Sequence, residues 1–195
     1  MIDPFDPAKV GLKLPKLEAD AVLITHNHFD HNYKEGVSGY RLLVDGPGEY
    51  ELGGVNISGI SVNHDAKEGK ERGKTTMYYI ESGGESVLHC GDLGHILDDA
   101  TLQKFGEVTA LLIPVGGVYT IDAEKASKVI SSIEPTFVVP MHYKMDGSKI
   151  QDIDSLEKFL DEMGIENSNV KKSSVLKISD ADNESETQVV VLEKQ

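Results

Sequence analysis

The chain has 195 residues, 39% hydrophobic and 27% charged, the balance of a folded domain with a substantial core. Its 33 acidic residues against 19 basic ones leave a formal charge of −14, so phosphate backbones and anionic lipids are not its expected partners. No apolar run approaches the roughly 18 residues of a membrane span. Met1-Ile2-Asp3-Pro4-Phe5 carries no export signal, and the lone Cys90 excludes an internal disulfide framework and fits a reducing cytoplasm.

With no internal repeat and no Pro- or Ser-rich linker, residues 1–195 read as one domain. In chain order, β-rich apolar runs predict strands over 21–25, 40–44, 55–62, 76–81 and 86–89. A helix follows over 98–105, stopped by Gly106 as its left-handed residue, and then a strand over 110–114. The next helix, 122–133, starts at a capping Asp122 and ends before Pro135; a strand follows over 136–139. Asp154-Ser155-Leu156-Glu157 resembles a capping box and opens a helix over 154–163 that ends at Gly164. Leu156, Phe159, Leu160 and Met163 recur along it at helical spacing. Runs 174–178 and 188–192 read as a hairpin around the polar loop 179–187. Strands alternating with helices predict an α/β fold with helices packed on sheet faces.

Directly after the apolar run Ala21-Val22-Leu23-Ile24 comes Thr25-His26-Asn27-His28-Phe29-Asp30-His31. Side chains two apart in extended backbone point the same way, so His26 and His28 can share one cation. Asp30 and His31 follow in the turn, where the chain can aim them at a second. His64, Asp92 and His142 each appear just beyond an apolar strand. Taken singly, each is as much a structural residue as a ligand. Loops beyond strand ends form the usual ligand crevice of α/β folds, so four distant segments can converge on one rim.

His26-x-His28-x-Asp30-His31, followed by a further His, an Asp and a last His, resembles the metallo-β-lactamase superfamily. It is most similar to the branch of small zinc-dependent hydrolases related to the ascorbate-lactonase type. Ile2-Asp3-Pro4-Phe5, Gly91-Asp92-Leu93-Gly94-His95, Ile113-Pro114-Val115-Gly116-Gly117 and Pro140-Met141-His142-Tyr143-Lys144 support the resemblance, which extends from residue 2 to about residue 144. It implies an αββα sandwich, two sheets flanked by helices, with the N-terminal hairpin of relatives missing. An unpaired sheet edge there would favour association of copies.

The resemblance further implies that His26, His28 and His64 hold a first metal, that Asp30, His31 and His142 hold a second, and that Asp92 bridges them. Imidazole and carboxylate donors without thiolate suit zinc, but also iron or manganese. Zinc is the first expectation because it is Lewis acidic and redox-inert. The expected activity is hydrolysis of a small-molecule ester, lactone or related bond, with Asp30 and Asp92 as catalytic residues. Two other functions stay open: a phosphodiesterase or nuclease using the same metal pair, and a metal-binding protein without turnover.

Further residues keep two readings each. His95 lines the pocket or supports a ligand, or else caps the turn at 97–99. Tyr143 and Lys144 reach substrate or face solvent. Asp65 orients His64 or faces water. His89 and Cys90 read as core. Gly116-Gly117 offers N–H groups to substrate or is a tight turn. The mixed-charge loop 67–74 is a solvated connection, or flanks the cleft with cations that attract an anionic substrate.

Overall fold

The structure, a computed structural model, describes residues 1–178 and 186–193. The strands among them are β1 (Leu17–Glu18), β2 (Ala21–Leu23), β3 (Val37–Ser38), β4 (Leu42–Val44), β5 (Gly48–Leu52), β6 (Val55–Asn63), β7 (Lys74–Ser82), β8 (Glu85–His89), β9 (Ala110–Pro114), β10 (Phe137–Met141), β11 (Lys171–Ser173) and β12 (Gln188–Leu192). The α-helices are α1 (Pro7–Val10), α2 (Asp99–Leu102), α3 (Ala123–Ile133) and α4 (Leu156–Glu162).

Eight strands form one sheet in the order β11-β12-β10-β9-β8-β7-β6-β5. From β5 to β8 the chain runs as an antiparallel meander. From β8 through β9 and β10 to β12 the neighbours are parallel, and α3 and α4 lie in the crossovers. Side-chain alternation assigns the two faces. Met77 and Tyr79 belong to the large core that takes in Ala126, Val129 and Ile130 of α3 and Phe159 and Leu160 of α4. Tyr78, between them, joins Leu23, Val44 and Ile57 on the opposite face, where the β2–β4 ladder packs. The result is the expected α/β sandwich, with a large sheet flanked by helices on one face and short ladders on the other.

Two bonds lock the layers together close to the strand tips. The buried Tyr78 hydroxyl donates to the Ile24 carbonyl at 2.7 Å, and the Thr76 N–H donates to the Thr25 carbonyl at 2.8 Å. Segment 24–26 is therefore anchored to β7 where the first histidine emerges.

The C-terminal expectation is corrected. β11 and β12 pair in parallel, so residues 174–178 are not the first arm of a hairpin. Leu176 and Ile178 instead pack against Ala110, Phe137 and Val190, because burying them on the sheet face outweighs local β propensity. Of the polar loop expected between the arms, residues 179–185 lie outside the described residues.

The helix starts follow their caps more closely than their ends. Asp98 caps α2 and Asp122 caps α3 through their carboxylates. Helix α2 ends at Leu102 with Gln103 in the right-handed region, so Gly106 is not its left-handed stop. The N-cap of α4 is Ser155 with no capping side-chain bond, and Asp154 instead accepts from Lys158 at 2.7 Å, so the capping box does not form there. Among the described residues, no helix is long and apolar enough to cross a membrane.

Candidate metal centre

Strands β6, β8 and β10 end on one rim of the large sheet, and β7 begins there. His64 follows β6, Asp92 follows β8 by three residues, and His142 follows β10. The segment His26–His31 leaves the smaller ladder at the same rim, so all seven residues meet.

Asp92 sits at their centre with its side chain 4% exposed. Its Oδ1 lies 3.4 Å from His31 Nε2. Its Oδ2 lies 3.4 Å from His64 Nε2, 3.5 Å from His142 Nε2 and 3.7 Å from His26 Nε2. His26, His28 and His64 offer donor atoms all within 4.8 Å of one another; so do Asp30, His31 and His142, and so do Asp3, His26 and His31. His26 Nε2 is 3.0 Å from His28 Nδ1, and His31 Nε2 is 3.5 Å from Asp30 Oδ2.

Ring orientation is set by residues behind the cluster. The His31 Nδ1–H donates to Asp3 Oδ2 at 2.8 Å, so Nε2 faces Asp30 and Asp92. Thr25 spends its hydroxyl proton on Asp3 at 2.6 Å and receives the His26 Nδ1–H at 2.9 Å, which turns His26 Nε2 inward. Asp3 has a left-handed backbone, φ 47°, as does His142, φ 53°. Such strain in non-glycine residues costs of order 1–3 kcal/mol and persists where surrounding contacts impose it. The sequence alone gives Asp3 no role; the signal that could find it is a carboxylate in the short motif Ile2-Asp3-Pro4-Phe5 ahead of the histidines.

Burial and neighbouring charge divide the protonation states. Burial opposes the charge on Asp92, but His31, His142 and His26 overcome it and hold the carboxyl far below its usual range. Burial, reinforced by His31, pushes His26 down to about 3 against the pull of Asp92. His64 is lowered for the same first reason. His31 goes the other way: Asp92, Asp3 and Asp30 overcome its burial and raise it well above the ordinary imidazole range. Two imidazoles kept neutral, with ionised carboxylates beside them, make a donor set for a cation.

A fit to metal is visible in the unpaired atoms. His64 is 1% exposed, yet among the described residues neither ring nitrogen has a hydrogen-bond partner, and His142 Nδ1 also lacks one. Buried polar atoms without partners are costly, and coordination removes that cost for a nitrogen aimed at an ion.

Close backbone packing brings the loops together. A Cβ on Gly94 would lie 2.2 Å from Asp65 N and 2.4 Å from His64 C, so glycine lets the Asp92 loop pass against the end of β6. A Cβ on Gly116 would lie 2.1 Å from the His142 carbonyl oxygen, and the Gly117 N–H donates to the Ile121 carbonyl. Gly116-Gly117 is thus a packing turn behind His142, and the Gly117 N–H is not free for substrate.

The remaining candidates separate. His95 lies outside the cleft lining: its Nε2 accepts the Asn63 N–H at 3.3 Å and its Nδ1–H donates to the Ile96 carbonyl, bracing the strand end next to His64. Asp98, not His95, caps α2. Tyr143 packs on the main core and lines an apolar hollow beside the cluster, while Lys144 is exposed. His89 is a buried core residue whose Nδ1 accepts the Gly91 N–H, and Cys90 is a buried free thiol. Asp65 neither orients His64 nor faces water; buried, it accepts the backbone N–H groups of Lys67, Gly69, Glu71 and Arg72. That carboxylate organises the loop 67–73.

The cluster opens into a cleft of about 640 Å³ whose lining includes His28, Asp30, His64, Asp92 and His142, with Phe29, Arg72, Tyr119, Lys149 and Asp152 around them. The volume suits a small molecule.

Residues 1–142 match the Beta-lactamase superfamily domain. The chain belongs to that superfamily. Within it, the chain is 32% identical over 171 residues to a UPF0173 metal-dependent hydrolase of Thermococcus onnurineus, an alignment covering 73% of this chain and 76% of the relative. A UPF0173 metal-dependent hydrolase of Methanopyrus kandleri is 26% identical over 196 residues, covering 85% of each. Among solved structures, a metallo-beta-lactamase superfamily protein of Thermotoga maritima superposes with a TM-score of 0.75 at 31% identity, covering 99% of this chain and 88% of that one. The superfamily assignment and the sandwich thus agree with the expectation drawn from the histidine-rich segment.

Proposed function

We propose that this superfamily member is a hydrolase with a two-metal centre, acting on an ester, lactone or related bond of a small molecule. The names of its relatives support the coarser statement, metal-dependent hydrolysis. One observation supports a pair of ions: two groups of three donor side chains with no member in common adjoin a single buried carboxylate, Asp92. In this reading His26, His28 and His64 hold one ion, Asp30, His31 and His142 the other, and Asp92 serves both. Zinc is the first choice, with manganese and iron as alternatives of the same donor chemistry.

A divalent pair supplies Lewis acidity and acidifies water near neutral pH. The chain's own groups do the rest. Asp30 is held ionised: burial opposes its charge, and the hydrogen bond and charge of His31 prevail. Its carboxylate lines the cleft and can accept a proton from attacking water and pass it to the leaving oxygen. Asp3 and Thr25 turn the inward nitrogens of His31 and His26 toward the cluster, and His31 gives up the proton that Asp92 favours on it in order to ligate a cation. The acidic net charge disfavours long nucleic acid as substrate. The single buried Cys90 is compatible with a reducing cytoplasm.

The test strips metal with a chelator, restores zinc, manganese or iron(II) singly, and assays a model lactone, an ester and a phosphodiester beside metal analysis. Two ions per chain and lactone or ester turnover restored by metal is the expected result. Turnover confined to the phosphodiester would replace the substrate class, and two bound ions with no turnover would make this a binding protein.

A further inference from the structure

The guanidinium of Arg72 has no carboxylate within 4 Å among the described residues, although it lines the cleft of an acidic protein. It is half-buried and lies over the Tyr119 ring, 5.3 Å from the centroid. The Tyr119 hydroxyl donates to Asp152, which helps to fix the position of that ring. Lys149, the other cation of the lining, turns its ammonium to the Ala8 carbonyl at 2.8 Å. By contrast, the exposed cations of the Arg72 loop are paired: Lys67 with Glu71 at 2.6 Å, and Lys70 with Glu68 at 2.7 Å.

Arg72 is also delivered to the rim by a built loop. Asp65, next to His64 in sequence, accepts the Arg72 N–H itself at 2.8 Å along with three other loop N–H groups. The position of the guanidinium is thereby tied to the donor cluster. A planar cation held on an aromatic face, with its donor edge open, suits the two oxygens of a carboxylate or phosphate.

Resting on the hydrolase reading, we propose that Arg72, stacked on Tyr119, binds an anionic group of the substrate, a carboxylate or phosphate, set apart from the bond that is cleaved. Tyr119 is the platform that positions it. The substrate class becomes a small anionic ester or lactone.

The experiment compares a neutral lactone with the same lactone bearing a carboxylate or a phosphate, using zinc-loaded protein and Arg72→Met, Arg72→Lys and Lys70→Met variants. The wild type should favour an anionic form, and Arg72→Met should cut the anionic-to-neutral ratio of kcat/KM about 10- to 100-fold, the scale of one charge-assisted pair. Arg72→Lys should recover only part of that ratio, and Lys70→Met should not change it. The anion giving the larger loss identifies the group. An unchanged ratio in Arg72→Met overturns the proposal while leaving the hydrolase reading intact.

Calorimetric titration of benzoate and phenyl phosphate into the same proteins gives a readout independent of turnover. A loss of affinity of about 10-fold in Arg72→Met supports the anion site even where no lactone is hydrolysed. Equal affinity in both proteins overturns it.

Discussion

His31 donates from Nδ1 to Asp3 Oδ2 at 2.8 Å, across 28 residues of chain, and this bond leaves Nε2 3.4 Å from Asp92. The same Asp3 carboxylate accepts the Thr25 hydroxyl and N–H, so one acid orients donors on both sides of the cluster. Asp3→Asn retains the size of the side chain but weakens these three bonds. Such orienting partners are worth about 10- to 100-fold in metal affinity or activity, and a loss of that size is expected here. Metal titration of the variant against the wild type checks it; matching affinities and rates would remove Asp3 from the site.

In the proposed two-metal reading, Asp92 is the carboxylate that serves both ions. Asp92→Ala is expected to eliminate turnover and to leave fewer than two ions per chain by elemental analysis. The metal-free variant should also be less stable than the wild type, because His31, whose charge Asp92 supports, is left with only Asp3 and Asp30. Full activity with both ions retained would contradict the bridging role.

Gly94 passes so close to the end of β6 that any side chain collides with backbone. Gly94→Ala is expected to cost about 1–3 kcal/mol, the range for forced overpacking. Thermal unfolding should register this as a Tm lower by about 2–12 °C for a chain of this size, and metal affinity should fall with it because His64 is displaced. A variant unfolding at the wild-type temperature would show that the two loops are not packed as described.

Asp65 predicts a pH signature. Four loop N–H groups overcome the burial that opposes its ionisation and hold the carboxyl at about 2, below the usual value of about 3.9. A folded pKa below the unfolded one stabilises fully above the unfolded value, and the contribution is lost as pH falls through the folded one. The wild type should therefore exceed Asp65→Ala in urea midpoint near neutral pH, with the gap narrowing between about pH 4 and about pH 2. A gap that stays constant through acid would mean that the loop does not depend on the charged carboxylate.

Several elements were legible before any coordinates. The strand over 110–114 and the helix from Asp122 carried period and capping signals strong enough to survive in the fold. The edge strand β5 was missed because Gly48-Glu49-Tyr50-Glu51-Leu52 sets acids between its apolar residues and is only half-buried. The run 174–178 reads as a hairpin strand because local β propensity says nothing of whether a pairing partner is at hand. Local pattern also fails for β11, Lys171-Lys172-Ser173, which owes its extended form to pairing with β12.

The sequence by itself determined the kind of chemistry: four donors in six residues after an apolar strand, with His64, Asp92 and His142 waiting at other strand ends. Their types and local spacing are short-range facts, readable from covalent order. Only the tertiary structure decided which atoms meet and what supports them. Asp3 behind His31, Gly94 against His64 and Arg72 over Tyr119 are contacts between residues far apart in the chain, made where sheet order and loop closure bring backbones together. A one-dimensional pattern holds no record of those closures, because the free energy that selects them is spread over the whole core.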